Sequence, residues 1–150
     1  MLYWAVGITN ASVETKVFNK WTFNSDIVYS PWKSIQGNHF EFVQIIPEAR
    51  FYPKGAFNGV YFGAYASFIA FDMTKWNYWN KGLHQIGRGF ALGGSLGYEH
   101  KINSRLLMDV YLGAGWHNSQ YRGYRTRTGE QNGSAEWLPY KVGITIGYRL

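Results

Sequence analysis

Leu138-Pro139-Tyr140-Lys141-Val142-Gly143-Ile144-Thr145-Ile146-Gly147-Tyr148-Arg149-Leu150 is the stretch that decides the fold. At period two, Leu138, Tyr140, Val142, Ile144, Ile146, Tyr148 and Leu150 make one wholly apolar face, with aromatics near both ends. Pro139, Lys141, Gly143, Thr145, Gly147 and Arg149 make the other, which is polar or nearly without side chain. A β-strand sends alternate residues to opposite faces. An apolar face backed by a small, polar, glycine-rich one is the pattern of a transmembrane barrel strand.

Seven further segments alternate in the same way: Leu2 to Ile8, Ser12 to Phe18, Trp21 to Tyr29, His39 to Pro53, Val60 to Met73, Gly89 to Ile102 and Leu106 to His117. The fifth sets Val60, Phe62, Ala64, Ala66 and Phe68 against Tyr61, Gly63, Tyr65 and Ser67. With the closing stretch the chain reads as eight strands. Phe18-Asn19-Lys20, Lys54 to Gly59 and Asn103-Ser104-Arg105 are short, turn-like links. Ser30 to Asn38, Thr74 to Arg88 and Asn118 to Trp137 read as longer loops. An even strand number, with short turns at one end and long loops at the other, matches an eight-stranded antiparallel up-and-down transmembrane β-barrel with both termini at the turn end. Pro47 falls inside a strand and predicts a bulge or local break there.

Alternation does not by itself say which face is inside. Volume does. An eight-stranded barrel has an interior that side chains just fill. Trp4, Trp21, Phe23, Phe51, Phe62, Phe68, Phe90, Tyr98, Trp116, Tyr140 and Tyr148 do not fit there together. Gly63, Gly93, Gly97, Gly113, Gly115, Gly143 and Gly147, on the opposite face, suit a tight lumen. The apolar face therefore points to lipid, and a soluble ligand-binding barrel is the inverted alternative.

Composition agrees. At 150 residues the chain reads as one domain, 1–150. Aromatics at 19% and 18 glycines exceed what an average soluble domain carries. No run approaches the roughly 18 apolar residues of a membrane helix. The absence of cysteine excludes a disulfide framework and thiolate chemistry. An exported barrel carries a signal peptide; none is visible before Leu2-Tyr3-Trp4, so the chain reads as processed or trimmed.

By alternation the lumen receives Glu14, Asp26, Glu48, Glu99 and Asp109 together with Lys16, Arg50, Lys101, Lys141 and Arg149. Charges in a narrow, dry space must pair, so a balanced ion-pair network plugging the lumen is expected, anchored on Glu48 and Arg50. His117 and Ser119 form a His-x-Ser pair like that of outer-membrane lipid A deacylases, which makes a lipid A-modifying enzyme an alternative. Here alternation turns both inward, away from lipid, and a base, a hydroxyl and an orienting carboxylate must meet for such chemistry. His39, His84 and His100 have no metal-ligand spacing, and no cofactor is implied.

The long loops hold most of the +6 net charge. Lys75, Lys81, Arg88, Arg122, Arg125 and Arg127 interleave with aromatics such as Trp76 and Trp79 into a basic aromatic rim. Such a mixture can bind single-stranded nucleic acid. On a barrel the nearer polyanion is the phosphorylated headgroup layer of lipid and lipopolysaccharide, so nucleic acid is not expected. Ala64, Ala66 and Ala70 form a smooth stripe suited to docking another outer-membrane protein.

Several stretches, in order, resemble one family: Leu2-Tyr3-Trp4-Ala5, Tyr29-Ser30-Pro31-Trp32, Pro47-Glu48-Ala49-Arg50-Phe51-Tyr52, Gly94-Ser95-Leu96-Gly97-Tyr98 and Lys141 to Tyr148. They are similar to the small outer-membrane β-barrels of Bacteroides-type bacteria, a domain of unknown function. The chain departs from that pattern in starting close to Leu2 and in ending on Leu150 rather than an aromatic. The resemblance implies an outer-membrane location and supplies no catalytic residue. The expectation is a non-enzymatic integral barrel with a filled lumen, structural or accessory within a larger outer-membrane complex.

Overall fold

The computed structural model describes residues 9–35, 38–74, 85–123 and 131–148. Every regular element among them is a strand: β1 (Thr9–Lys16), β2 (Trp21–Ile35), β3 (Asn38–Phe51), β4 (Gly59–Met73), β5 (Gln85–Lys101), β6 (Leu106–Gly123) and β7 (Gln131–Tyr148). They form one antiparallel up-and-down sheet in chain order. Leu2 to Ile8 lies outside the described residues. Among those described, β1 and β7 do not pair, and the sheet is not closed. A cleft of about 670 Å3 separates their edges and reaches Asp26, Arg50, Glu99 and Asp109. The sheet is nonetheless strongly curled, because Lys141 on β7 contacts Asp26 on β2 and Glu48 on β3.

The turn end follows from local chemistry. The Asn103 side chain accepts the backbone N–H groups of Arg105 and Leu106, each at 2.8 Å, and folds the β5–β6 link back on itself. Residues 52–58, between β3 and β4, dock on the β1–β2 turn: Tyr52 N–H donates to the Lys20 carbonyl at 2.8 Å and Ala56 N–H to that of Asn19 at 2.9 Å.

The other end departs from expectation. Most of the residues expected as loops are strand: β2 continues to Ile35, β5 starts at Gln85, β6 runs to Gly123 and β7 starts at Gln131. There both faces turn polar, as in Asn118, Gln120 and Arg122 outward against His117 and Ser119 inward, so alternation fades while the ladder persists. β1 likewise begins at Thr9, three residues before the expected Ser12, with Thr9 opposite Tyr29.

Two prolines interrupt the ladder in different ways. β3 runs through Pro47 without a register change, although its pairing with β4 lapses between Ile45/Phe68 and Glu48/Tyr65, where proline has no N–H to give. The shift in register falls at Pro139: Gly113 faces Lys141, but Gly115 faces Leu138. Beyond it the faces of β7 swap. Val142, Ile144, Ile146 and Tyr148 point outward as expected, while Trp137, and not Leu138, is the exposed residue on the far side.

The sheet is apolar outside and polar inside. Leu112 is 59% exposed, Val142 64% and Phe62 56%. Glu48, Arg50 and Lys141 are 1–3% exposed. Tyrosine rings fill the space that glycine leaves. A Cβ on Gly97 would run into the Tyr61 ring, and one on Gly93 would lie 2.6 Å from the Tyr65 hydroxyl.

Candidate functional site

Alternation on β1, β2, β3, β5, β6 and β7 aims Glu14, Asp26, Glu48, Arg50, Glu99, Asp109 and Lys141 into the curl of the sheet. Arg50 is the hub. It meets Glu14 at 2.6 Å, Glu48 at 2.7 Å and Asp109 at 3.1 Å, and its guanidinium lies 4.4 Å from the Tyr61 ring centre. Lys141 is the second cation, 2.8 Å from Asp26 and 2.7 Å from Glu48, with the Tyr111 ring 5.1 Å away. Glu48 thus bridges both. The pairing of Glu48 with Arg50 expected from their spacing on one strand is present.

The expected balance is not. Lys16 and Lys101 stand at strand ends with exposed side chains, where a long aliphatic stem carries the ammonium out to water. Arg149 lies outside the described residues. Among the described residues five inward carboxylates face two inward cations, Arg50 and Lys141.

Hydroxyls and an amide make up part of the difference. Tyr52 donates at 2.9 Å to Glu14 or to Glu99, and Tyr61 donates to Asp109 at 3.1 Å. Ser95 donates to Glu48 and Thr22 to Glu14. The Asn24 amide donates to Asp26 at 2.9 Å. Burial, with Glu14 and Glu99 alongside, pushes the Tyr52 phenol far above its ordinary range, so it stays a neutral donor. Tyr52 and Tyr61 are fully buried, and sequence reasoning assigned neither to the network. The signal was available: Tyr61 was read on the inner face beside Gly63, in a lumen crowded with acids.

The His117 and Ser119 pair lies on β6, with Glu136 of β7 opposite His117. Both face inward as expected, and the Ser119 hydroxyl shares a 2.8 Å hydrogen bond with Ser134. No group of three or more histidine, aspartate or glutamate residues able to hold a metal occurs among the described residues.

Of the expected rim, Lys75, Trp76, Trp79, Lys81, Arg125 and Arg127 lie outside the described residues. Arg88 and Arg122 are not in loops: they are exposed positions on β5 and β6. Ala64, Ala66 and Ala70 share the outward face of β4, interrupted by Phe68, which is 59% exposed.

A family model described as protein of unknown function DUF3575 matches residues 1–150, and the chain belongs to that family. No curated protein and no solved structure matches it.

Proposed function

We propose that this DUF3575 chain is a non-enzymatic, integral outer-membrane β-barrel of Bacteroides-type bacteria, with a filled lumen and a structural or accessory role in a larger outer-membrane assembly. The observation that carries the reading is the inverted distribution of polarity. A charged network is buried inside one curled sheet whose outward face exposes Phe62, Phe68, Leu92, Leu112 and Val142. In water that face would be an aggregation hazard; in hydrocarbon it is the expected surface.

Strand direction supports closure. Seven up-and-down strands leave β1 and β7 running the same way, so a closed, wholly antiparallel barrel needs one further strand between them. Leu2 to Ile8, outside the described residues, precedes β1 and carries in its sequence the alternation such a strand requires. A closed barrel also removes the two exposed edges.

Two experiments test the reading. The full chain refolded into planar bilayers should give no steady single-channel conductance, because the ion pairs and tyrosines occupy the lumen. A stable open pore of porin size would overturn the filled interior. For the partner, photo-crosslinkers installed in cells at Ala66 should capture a neighbouring protein, whereas those at Val142, 64% exposed on the far side of the sheet, should capture lipid. Lipid alone at both positions would remove the accessory role and leave a solitary barrel.

A further inference from the structure

The outward face of β3 to β6 is not uniformly smooth. Near its loop end, the small side chain of Ala70 leaves a recess of about 480 Å3 walled by Val43, Ile45, Phe68 and Phe90. Register explains it. Ala70 sits opposite Val43 on β3 and Arg88 on β5, and the next outward pair toward the turn end is Phe68 with Phe90. Phe90 is held in turn by an edge-on contact with Trp116 at 5.6 Å.

Above the recess the chemistry changes. A second pocket of about 410 Å3 is contiguous with it, sharing Arg88 and Gln120, and adds Arg122. Gln120 faces Arg88 directly and Arg122 faces Ile86, so the two arginines are diagonal neighbours on adjacent strands. Asp72, the acid across from Ile86, lies 3.5 Å from His39. Among the described residues neither arginine has an acid within ion-pair distance. Two guanidinium groups with an amide between them, above a greasy slot, complement an amphiphile with an anionic head. Guanidinium suits phosphate because it donates two parallel hydrogen bonds.

We propose that this outward face binds a phosphorylated membrane lipid, one acyl chain seated in the recess over Ala70 and the phosphate held by Arg88 and Arg122. The proposal rests on the membrane reading above. It adds to it a stoichiometric site where general lipid contact would have none.

The test is native mass spectrometry of the full chain released from zwitterionic detergent, titrated with phosphatidic acid and with phosphatidylcholine of the same acyl length. One equivalent of phosphatidic acid should bind, preferred by about tenfold, as expected for charge-assisted hydrogen bonds that the choline lipid makes less well. Arg88→Gln with Arg122→Gln should abolish the preference. Ala70→Trp, which fills the recess, should weaken both lipids, whereas Ala64→Trp, lower on the same strand, should change neither. Equal binding of the two lipids, or a preference that survives the double arginine change, overturns the site. Insertion of wild type into phosphatidylcholine vesicles, read by protease protection, separates the two levels. An inserted protein without the preference sinks only this proposal, and a protein that never inserts sinks the membrane reading with it.

Discussion

Arg50→Met is expected to prevent stable folding of the full chain. The residue is 3% exposed and neutralises Glu14, Glu48 and Asp109 at once. Its loss strips Glu14 and Asp109 of their cation and leaves Glu48 with Lys141 alone, which also serves Asp26. Removing one partner of a buried ion pair typically costs about 3–5 kcal/mol, comparable with the whole stability of many domains. The measurement is urea unfolding in detergent micelles, followed by tryptophan fluorescence. Adding Glu14→Gln and Asp109→Asn to Arg50→Met should recover part of the loss, because the stranded charges go with the cation. Lys141→Met should cost less, since Glu48 keeps Arg50 and Asp26 keeps the Asn24 amide. An unchanged urea midpoint for Arg50→Met would show that the network does not hold the interior together.

That hub was partly legible in the sequence, and the reason is geometric. Period-two alternation is a property of the strand itself, so the inward set Glu14, Asp26, Glu48, Arg50, Glu99, Asp109 and Lys141 could be read without knowing which strands are neighbours. The structure places them together as read. What alternation does not encode is distance from a strand end. Lys16 and Lys101 have the right parity but sit where a lysine stem reaches solvent, so the expected charge balance failed. Pairwise partners across the sheet, such as Tyr52 with Glu99 at 47 residues' separation, depend on register and curl, which no single segment contains. The proline reading was incomplete for a related reason: the local break expected at Pro47 is present in its pairing with β4, but the register change at Pro139 was not expected. Pro47 and Pro139 look alike locally, yet only Pro139 stands where β6 and β7 change register. And where both faces become polar, beyond Trp116, the strand signal vanished although the strands did not end.

The outward face makes the sharper demand, because a soluble barrel and a membrane barrel predict opposite results there. Ala64 and Leu112 are exposed mid-strand positions, Ala64 opposite Gly94 and Leu112 opposite Leu96. In water an arginine at either position would be nearly neutral, the usual result for surface changes. At the middle of a bilayer the same side chain costs about 2–4 kcal/mol on the lipid face of a barrel. Ala64→Arg and Leu112→Arg should therefore each lower folding stability in lipid vesicles by about that amount, with the loss shrinking toward the strand ends. Gly97→Arg should also fail, for a different reason: it points to the inner face of the curled sheet, where the Tyr61 ring already occupies the space a Cβ would need. That failure should persist in detergent micelles of any thickness, whereas the two outward-facing variants should recover as the apolar layer thins. If Ala64→Arg and Leu112→Arg fold in vesicles as well as wild type, the apolar face does not meet hydrocarbon and the membrane reading falls.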